Sequence, residues 1–549
     1  MKSIGFTNFR RFARLEPLQL APITFFVGGN NAGKSTVVKA MMLLLDNLGA
    51  RVLNTNSSNT IDTPAFLLDA NRIHEVHIGT FGRALHKPYP EQKELVLEAE
   101  IDNYYFRYVL TGDTESKQAN ADIAKLEFTN KSSNVQYSFD FVKGEAVVLY
   151  NTAALKKFSR EYDMMLNPQD LNELQTRLNV LLQQRTNTLA ELRMYEGDVA
   201  QLARINANYK AIDKQIAQLR RIIGPFGGKS KTEYIEYKCP IQLDKTSDRS
   251  KLISELLYGI SEKFEERRRI VVSNETGVVS ISEPSDLTEQ EKIFGRMVNR
   301  EARLLSGVRM GNSIEYISAH AASQKVLFSI EDKNDYMASV IREYKQCRIN
   351  KGDKEYLFIT KWMAKDYLNI GFDFEIEPIS GEAYTVNIIN MQGETMPLAD
   401  MGMGSIQMML LLLKLATIIH EKRGDGCIVI VEEPEQNIHP KLQSKLAELF
   451  AEVNQEYKFR FVIETHSEYM IRKSQAMIAC GEVSFENNPF KVFFFPEQGQ
   501  PYDMVYLESG RFKESFDSGF FDESAKWTTQ ISKQEIANAP KQEFQWTEK

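Results

Sequence analysis

The sequence predicts an α/β fold in which helices cover a parallel or mixed β-sheet. An apolar segment, 23–27, leads into a glycine-rich loop and then into a long apolar helix that starts near residue 34. Two later apolar segments, 427–431 and 461–463, both end in polar residues. Continuous apolar strands of this kind are typical of parallel sheets, because helices bury both of their faces.

The loop after the first apolar strand reads G-x-x-x-x-G-K-S from Gly28 to Ser35. Between a strand and a helix this pattern predicts a phosphate-binding P-loop, whose backbone N–H groups and helix N-terminus face the anion. We expect Lys34 to reach the β- and γ-phosphates of a nucleotide and the Ser35 hydroxyl to ligate Mg²⁺. A chance glycine-rich turn is the alternative, and both flanking elements argue against it.

Composition sets broad limits on the class of protein. The chain has 549 residues, enough for two to four domains, and a net charge of -7. This charge argues against a protein that coats nucleic acid broadly, although it allows a local basic patch. The four cysteines form no C-x-x-C pair, which argues against zinc and fits a reducing cytoplasm. No apolar run reaches about 18 residues, so we expect a cytoplasmic protein with no membrane segment.

Two kinds of β-structure are expected near the N-terminus. Residues 4–26 are predicted to form two short strands joined by a turn, with residues 8–12 between them. Residues 95–110 and 123–149 alternate apolar and polar side chains, which predicts a small antiparallel sheet.

A heptad pattern occupies residues 168–223. Apolar residues recur there at intervals of three and four, which is the seam of a coiled coil. They are Leu171, Leu174, Leu178, Leu181, Leu202, Ile205, Tyr209, Ile212, Ile216, Leu219 and Ile223. Because the register falters before Gly197, we predict an antiparallel coiled-coil hairpin with its tip at 195–198 and arms of roughly 40 Å. Two ordinary amphipathic core helices are the alternative.

These patterns divide the chain into five segments. Residues 1–165 are predicted to form an N-terminal lobe with the P-loop and the β subdomain, and 166–225 the coiled-coil insertion. Residues 226–380 are predicted to be a mostly helical middle region. Residues 381–510 form a C-terminal lobe, and 511–549 a tail whose aromatic residues suggest either a docking segment or a flexible surface.

The C-terminal lobe carries the second set of candidate site residues. Glu432 and Glu433 follow an apolar strand, at the sheet edge where α/β proteins bind ligands. One carboxylate, Glu432, is suited to the Mg²⁺ shell, and the next, Glu433, to orienting or deprotonating the attacking water. His466 follows the next strand, where it could hydrogen-bond a γ-phosphate or that water. A solvent-facing acidic turn and a structural histidine are the alternatives.

Taken in order, these motifs resemble the ABC-type ATPase heads of the SMC, RecF and OLD groups. Residues 30–36 look like the N-N-x-G-K-S-T loop of those heads, and residues 432–435 like the E-E-P-E element of the OLD-like branch. The resemblance covers about 1–150 and 380–510. It implies ATP and Mg²⁺ as cofactors and head-to-head dimerisation around the nucleotide. The implied nucleotide-binding residues are Arg10, Gly28, Asn30, Asn31, Ala32, Gly33, Lys34, Ser35, Thr36, Gly402, Gly404 and Ser405.

The signature loop departs from the family pattern. A serine usually precedes the signature glycine, but Gly402 stands at the matching position before Gly404. Ser405 could supply the hydroxyl, or backbone N–H groups could suffice. The best candidate for the Q-loop of the family is the segment 79–82.

The chain lacks recognisable effector motifs. The predicted hairpin tip has no cysteine pair for a zinc hook, and the 83 residues after His466 leave little room for a TOPRIM nuclease. In this respect the chain resembles the PtuA ATPases of Septu antiphage systems and of retrons that contain them. That resemblance implies an HNH nuclease partner, PtuB, and, in retrons, a reverse transcriptase with its RNA and DNA.

Two other functions remain open from the sequence. A DNA-repair or recombination ATPase of the RecF type would share the same head. A transporter nucleotide-binding subunit would share the P-loop, but the coiled coil and the E-E-P-E element argue against it.

Overall fold

The computed structural model describes residues 1–49, 64–69, 78–88, 91, 93–153, 155, 158–159, 168–194, 199–223, 234–241, 252–264, 269–272, 279–282, 287–307, 314–318, 324–332, 335–421, 427–518 and 520–538. The predicted hairpin tip at 195–198 lies outside these residues.

A six-stranded central sheet organises the described part of the chain. Five neighbouring strands are parallel and the last is an antiparallel edge strand, which confirms the predicted α/β class. In spatial order the strands are Ile314–Ile317, Ile428–Glu432, Arg460–Thr465, Ile23–Gly28, Phe490–Phe495 and Tyr502–Met504.

The central sheet is buried on both faces. Alternate side chains of one strand enter opposite cores: Phe26 lies in the core on one face, whereas Phe25 and Val27 lie in the core on the other. Val429 and Ile430 divide in the same way on a neighbouring strand. Each fully buried side chain of this size stabilises the fold by about 1.5–3 kcal/mol. This two-sided burial explains the uninterrupted apolar runs in the sequence.

One core lies between the central sheet and a second, antiparallel sheet. The P-loop helix, Lys34–Gly49, runs through this core. The antiparallel sheet has nine strands in the described residues, and it confirms the predicted β subdomain. Its strands are Ser3–Phe9, Phe12–Gln19, Ala65–Leu67, Leu95–Ile101, Tyr104–Thr111, Asn120–Asn130, Val135–Asp140, Glu145–Asn151 and Tyr234–Pro240.

The expectation of two strands within residues 4–26 was wrong, because three strands are present there. The stretch after the predicted turn at 8–12 is divided into two strands: Phe12–Gln19 pairs with Ser3–Phe9, whereas Ile23–Gly28 belongs to the central sheet. The buried apolar residues of Phe12–Gln19 are Phe12, Leu15 and Leu18, which are spaced by three, and the pairing register shifts between Ile4 and Phe6. An irregular strand of this kind lacks the period of two that identifies a half-buried strand in a sequence.

The other core is helical. The helix Met403–Glu421 passes through it and is almost wholly buried. By length and composition this is the one described helix that could cross a membrane, but most of it is buried within the fold. Its Lys414 forms ion pairs with Glu315 and Glu343. The other helices of this core are Tyr336–Gln346, Lys354–Met363, Pro440–Tyr457 and Glu468–Ala479.

Residues 226–380 contain helices, as predicted, and also strands that belong to both large sheets. Tyr234–Pro240 extends the antiparallel sheet and Ile314–Ile317 is the edge of the central sheet. The helices Leu252–Ser261 and Glu289–Gly307 pack on the antiparallel-sheet side. The remaining elements are a hairpin of Arg269–Val272 with Val279–Ser282, a sheet of Phe328–Ser329, Asp373–Ile379, Ala383–Ile389 and Thr395–Pro397, the short helix Phe81–Ala84, and the 3₁₀ helices Glu262–Phe264 and Leu398–Asp400.

The predicted coiled-coil hairpin is confirmed. Helices Pro168–Met194 and Val199–Ile223 pack against each other through a small apolar cluster of Leu181, Ile212 and Ile216. That cluster is separate from the two cores of the sheets.

The C-terminal segment is partly packed onto the fold. Phe516, Phe520 and Phe521 form ring contacts with one another, and two of them also contact Phe494 of the central sheet. The following helix, Glu523–Asn538, leaves Trp527 59% exposed. The aromatic residues before the helix therefore anchor the segment, while the helix itself has an accessible apolar side chain.

Because the hairpin has its own apolar cluster, its removal should leave the rest of the fold intact. Replacing residues 171–222 with a short Gly/Ser bridge should preserve cooperative thermal unfolding and nucleotide binding, while oligomeric state or partner capture changes. Calorimetry, equilibrium nucleotide binding and light scattering would measure these three properties. A folded deletion variant that no longer binds nucleotide would contradict this prediction.

Candidate nucleotide-binding site

The P-loop follows the central strand Ile23–Gly28 and holds a buried lysine. Lys34 is 3% exposed, and its Nζ donates to the carbonyl oxygens of Gly28 and Gly29, both at 3.0 Å. The same Nζ lies 3.2 Å from Nε2 of His466 and 3.9 Å from Oε1 of Glu464. Burial lowers the pKa of Lys34, and the nearby Glu464 opposes this effect. The ammonium group is thus fixed at the start of the helix, where a P-loop lysine binds phosphate.

Gly33 is required by its surroundings. Its φ is +106°, and a Cβ at this position would lie 2.5 Å from the ring of Phe12. Only glycine combines this backbone conformation with such a close approach. Phe12, the first residue of the strand Phe12–Gln19, therefore supports the loop from the antiparallel-sheet side.

A cavity of about 550 Å³ opens beside the P-loop and is rich in cations. Arg10, Lys39 and Arg83 line it, and within the described chain their side chains make no hydrogen bond or ion pair. Burial lowers the pKa values of Arg10 and Lys39, and the neighbouring cations lower them further. Unpaired, partly buried cations that repel one another form a site for a polyanion. The complete lining is Arg10, Arg11, Asn31, Ala32, Gly33, Lys34, Ser35, Thr36, Lys39, Arg83, Leu85, His86, Lys87 and Glu464.

Oxygen donors suited to Mg²⁺ meet at the edge of the cavity. The Ser35 hydroxyl donates to Oε1 of Glu464 at 2.8 Å, and Glu432 is the register partner of Glu464 on the adjacent strand. Within the described chain, Oε2 of Glu464 is buried without a hydrogen-bond partner. These hydroxyl and carboxylate oxygens fit a divalent cation. Among the described residues, no group of three or more His, Cys, Asp or Glu side chains could hold a metal ion.

Burial raises the pKa of Glu464 to about 7, and the neighbouring carboxylates of Glu432 and Glu433 add to the rise. The Ser35 hydrogen bond and Lys34 oppose it. A bound cation would favour the ionised carboxylate further.

Glu433 and His466 lie together, each directly after one of two neighbouring strands, Ile428–Glu432 and Arg460–Thr465. Oε1 of Glu433 is 3.6 Å from Nε2 of His466, and the Glu433 side chain accepts a hydrogen bond from Gln436. Glu433 has a φ of +40°, and its backbone N–H donates to the carbonyl of Glu464 at 2.7 Å. Burial and then Lys34 lower the pKa of His466, which favours the neutral imidazole. The backbone N–H of His466 is held by Glu435 at 2.6 Å.

The predicted signature loop lies elsewhere. Gly402, Gly404 and Ser405 stand at the start of the helix Met403–Glu421 and are absent from the cavity lining. A Cβ on Gly404 would lie 2.6 Å from the carbonyl of Asn437, so this glycine permits close packing on the turn before Pro440–Tyr457. A Cβ on Gly402 would meet open space. The signature loop is therefore partly exposed and separate from the P-loop of the same copy.

The structure brings together most of the residues predicted from the motifs. Arg10, Asn31, Ala32, Gly33, Lys34, Ser35 and Thr36 line the cavity, while Gly28, Glu433 and His466 lie next to it through contacts with Lys34, Glu464 or each other. Asn30 is exposed and does not line the cavity. His439 caps the helix Pro440–Tyr457, because its Nδ1 accepts a hydrogen bond from the backbone N–H of Lys441 at 3.2 Å.

Sequence reasoning missed Lys39, Arg83 and the contact of Glu464 with Ser35. Lys39 lies four residues after Ser35 on one helix, so helical spacing could have placed it on the same face. Arg83 directly follows the candidate Q-loop at 79–82, but no motif marks it. Glu464 belongs to the segment that was singled out for His466. Its contact with Ser35, however, depends on the pairing of the strand Arg460–Thr465 with Ile23–Gly28, which the sequence does not show.

The fold and the site together define a P-loop ATPase domain. Residues 1–471 match the model of the AAA ATPase domain family, and the chain belongs to this family. No curated protein sequence matches the chain at a significant level.

Solved structures of SMC heads are similar to the chain at low identity. The SMC head domain from Thermotoga maritima is 8% identical, with a TM-score of 0.30, over 92% of this chain and 99% of that one. The Smc head domain from Pyrococcus furiosus, bound to the C-terminal domain of ScpA, is 10% identical with a TM-score of 0.28 over 97% and 99%. The Smc head from Pyrococcus yayanosii is 10% identical with a TM-score of 0.31 over 93% and 97%.

The cation cluster should contribute to nucleotide affinity. Arg83→Ala should weaken ATP binding by about 10-fold or more, since a hydrogen bond to a charged group contributes about 1.5–3 kcal/mol. Lys143→Ala, in a turn outside the cavity lining, is the matched control and should bind ATP normally. Equilibrium titration with a fluorescent ATP analogue tests both variants. Equal affinity for wild type and Arg83→Ala would exclude this arginine from the site.

Proposed function

We propose that the protein is an ATP-binding and ATP-hydrolysing ABC-type ATPase whose heads dimerise around the nucleotide and regulate a separate effector nuclease. The observation that carries the proposal is the separation of the signature loop from the P-loop cavity. In one copy, the cavity has Lys34 and Ser35 but lacks the loop at 402–405. A second copy that presents its signature loop would complete the site, so that ATP favours the closed dimer.

The residues around the cavity have distinct roles in this proposal. Lys34, Arg10 and Arg83 bind phosphate oxygens. Ser35 and a carboxylate hold Mg²⁺, which would neutralise charge that develops on the transferred phosphoryl group. Glu433 orients the attacking water and accepts its proton. Neutral His466 stays within reach of both Glu433 and Lys34, and so positions the γ-phosphate region.

A separate effector is proposed because the described residues contain no cluster of three His, Cys, Asp or Glu side chains that could form a metal-dependent nuclease centre. The resemblance to PtuA supports a PtuB-like HNH nuclease as the partner, with a retron reverse transcriptase and its nucleic acids as a further one. This assembly would act in antiphage defence in the cytoplasm. The exposed Trp527 on the C-terminal helix offers a contact for such a partner.

A RecF- or SMC-like DNA-repair ATPase is the second candidate. The same family, the same composite site and the helical hairpin are compatible with it. DNA affinity that falls steeply with salt, without any effect of an HNH partner, would favour this function.

Glu433→Gln should retain ATP but stall hydrolysis, because an amide cannot accept the proton of the attacking water. It should also accumulate the ATP-bound dimer. Lys34→Ala is the paired variant and should lose tight ATP binding, since the phosphates lose their fixed countercharge. Phosphate release, nucleotide binding and size-exclusion chromatography would separate these effects. Hydrolysis by Glu433→Gln at the wild-type rate would remove Glu433 from the role of base.

The purified chain alone should not cut DNA or RNA in Mg²⁺ or Mn²⁺. Cleavage should appear only when an HNH partner is co-expressed, and it should respond to Lys34→Ala and Glu433→Gln, because the nucleotide state changes the contacts to the partner. Gel assays on both nucleic acids measure this. Robust cleavage by the isolated wild-type chain would overturn the proposed separate effector.

A further inference from the structure

Of the described residues that line the P-loop cavity, Glu464 is the one that is acidic. It is 5% exposed and lies next to the last residue of the strand Arg460–Thr465. The parallel pairing of this strand with Ile23–Gly28 places Glu464 opposite Phe26, near the start of the P-loop. The acidic side chain is therefore held by the central sheet rather than by a mobile loop.

The two carboxylate oxygens of Glu464 have different surroundings. Oε1 accepts the hydrogen bond from the Ser35 hydroxyl at 2.8 Å, whereas the buried Oε2 has no hydrogen-bond partner among the described residues. Lys34 does not compensate for this, because its Nζ is 3.9 Å from Oε1 and already donates to Gly28 and Gly29. A buried carboxylate oxygen without a partner is energetically costly unless a ligand satisfies it.

A divalent cation would satisfy that oxygen. Ser35 stands at the P-loop position whose hydroxyl ligates Mg²⁺, and it is already in contact with Glu464. Mg²⁺ is commonly held by one or two carboxylates together with substrate phosphates. Glu432, the residue at the position expected from the motif, is absent from the cavity lining, whereas Glu464 is part of it.

We propose that Glu464 is a direct carboxylate ligand, alongside Ser35, of the divalent cation that accompanies the nucleotide. Glu432, the register partner of Glu464 on the adjacent strand, is then an outer-shell carboxylate of this cation and not a direct ligand. The inference rests on the proposed nucleotide site and deepens it, by naming the carboxylate that couples cation binding to the strand Arg460–Thr465. In the absence of the cation, the same carboxylate holds the Ser35 hydroxyl in place.

The test compares Glu464→Gln with Glu432→Gln and with Glu468→Gln, a partly exposed glutamate that pairs with Arg472 and serves as the control. Mn²⁺ binding is measured by electron paramagnetic resonance with a non-hydrolysable ATP analogue. We expect Glu464→Gln to raise the Kd for Mn²⁺ by at least about 10-fold, and by more than Glu432→Gln does, because loss of even an outer-shell partner costs 10–100-fold. Glu468→Gln should match the wild type.

A second measurement separates ligand loss from misfolding. The affinity for the ATP analogue is measured in EDTA and in Mg²⁺. Glu464→Gln should keep the EDTA affinity of the wild type and lose the increase produced by Mg²⁺. Wild-type Mn²⁺ affinity in Glu464→Gln, or an effect equal to or smaller than that of Glu432→Gln, would overturn the inference. A wild-type protein that binds no nucleotide would instead overturn the proposed function.

Discussion

The structure depends on the compensation of one buried charge, the ammonium group of Lys34. Two P-loop carbonyls, His466 and Glu464 surround this group. Two of these four partners, Glu464 and His466, come from the end of the strand Arg460–Thr465 and the residue after it, more than 400 residues away in the chain. The arrangement therefore requires the parallel pairing of Arg460–Thr465 with Ile23–Gly28 in one register, Thr465 opposite Val27. A slip by one residue would turn Glu464 to the other face of the sheet and leave the ammonium group without its carboxylate.

That register is fixed by the two cores rather than by the site. Alternate residues of each central strand enter different cores, so a slip would expose apolar side chains of both. The helical core sets the positions of Glu433 and His466, while the antiparallel sheet sets those of Arg10 and Phe12. The cavity is consequently a product of both lobes, and the long middle region contributes to each of them through Tyr234–Pro240 and Ile314–Ile317.

The features that the sequence predicts well are those encoded within one short segment. The strand before the P-loop and the strands that carry Glu432 and Glu464 have continuous apolar patterns, the hairpin has a heptad pattern, and the structure contains all of them. The division of the stretch after residue 12 into Phe12–Gln19 and Ile23–Gly28 escaped prediction because the buried residues of the first of these strands are spaced by three. The place of Arg83 in the cavity and the hydrogen bond of Ser35 with Glu464 were not predicted for a different reason. Both depend on contacts between segments that are distant in the sequence, and the pattern of residues within one segment does not indicate such contacts.

The charges of the cavity indicate how the nucleotide could change the conformation. Arg10 and Arg83 belong to the antiparallel-sheet side, whereas Lys39 belongs to the P-loop helix. Burial and then repulsion from Arg83 lower the pKa of Arg10, and burial and then repulsion from the two arginines lower the pKa of Lys39. Triphosphate binding would replace this repulsion between two elements with shared attraction to one anion. Because a ligand stabilises the state that binds it best, the same change would draw the antiparallel sheet and the P-loop helix together. ATP would thus stiffen the head before any contact with a second copy is made.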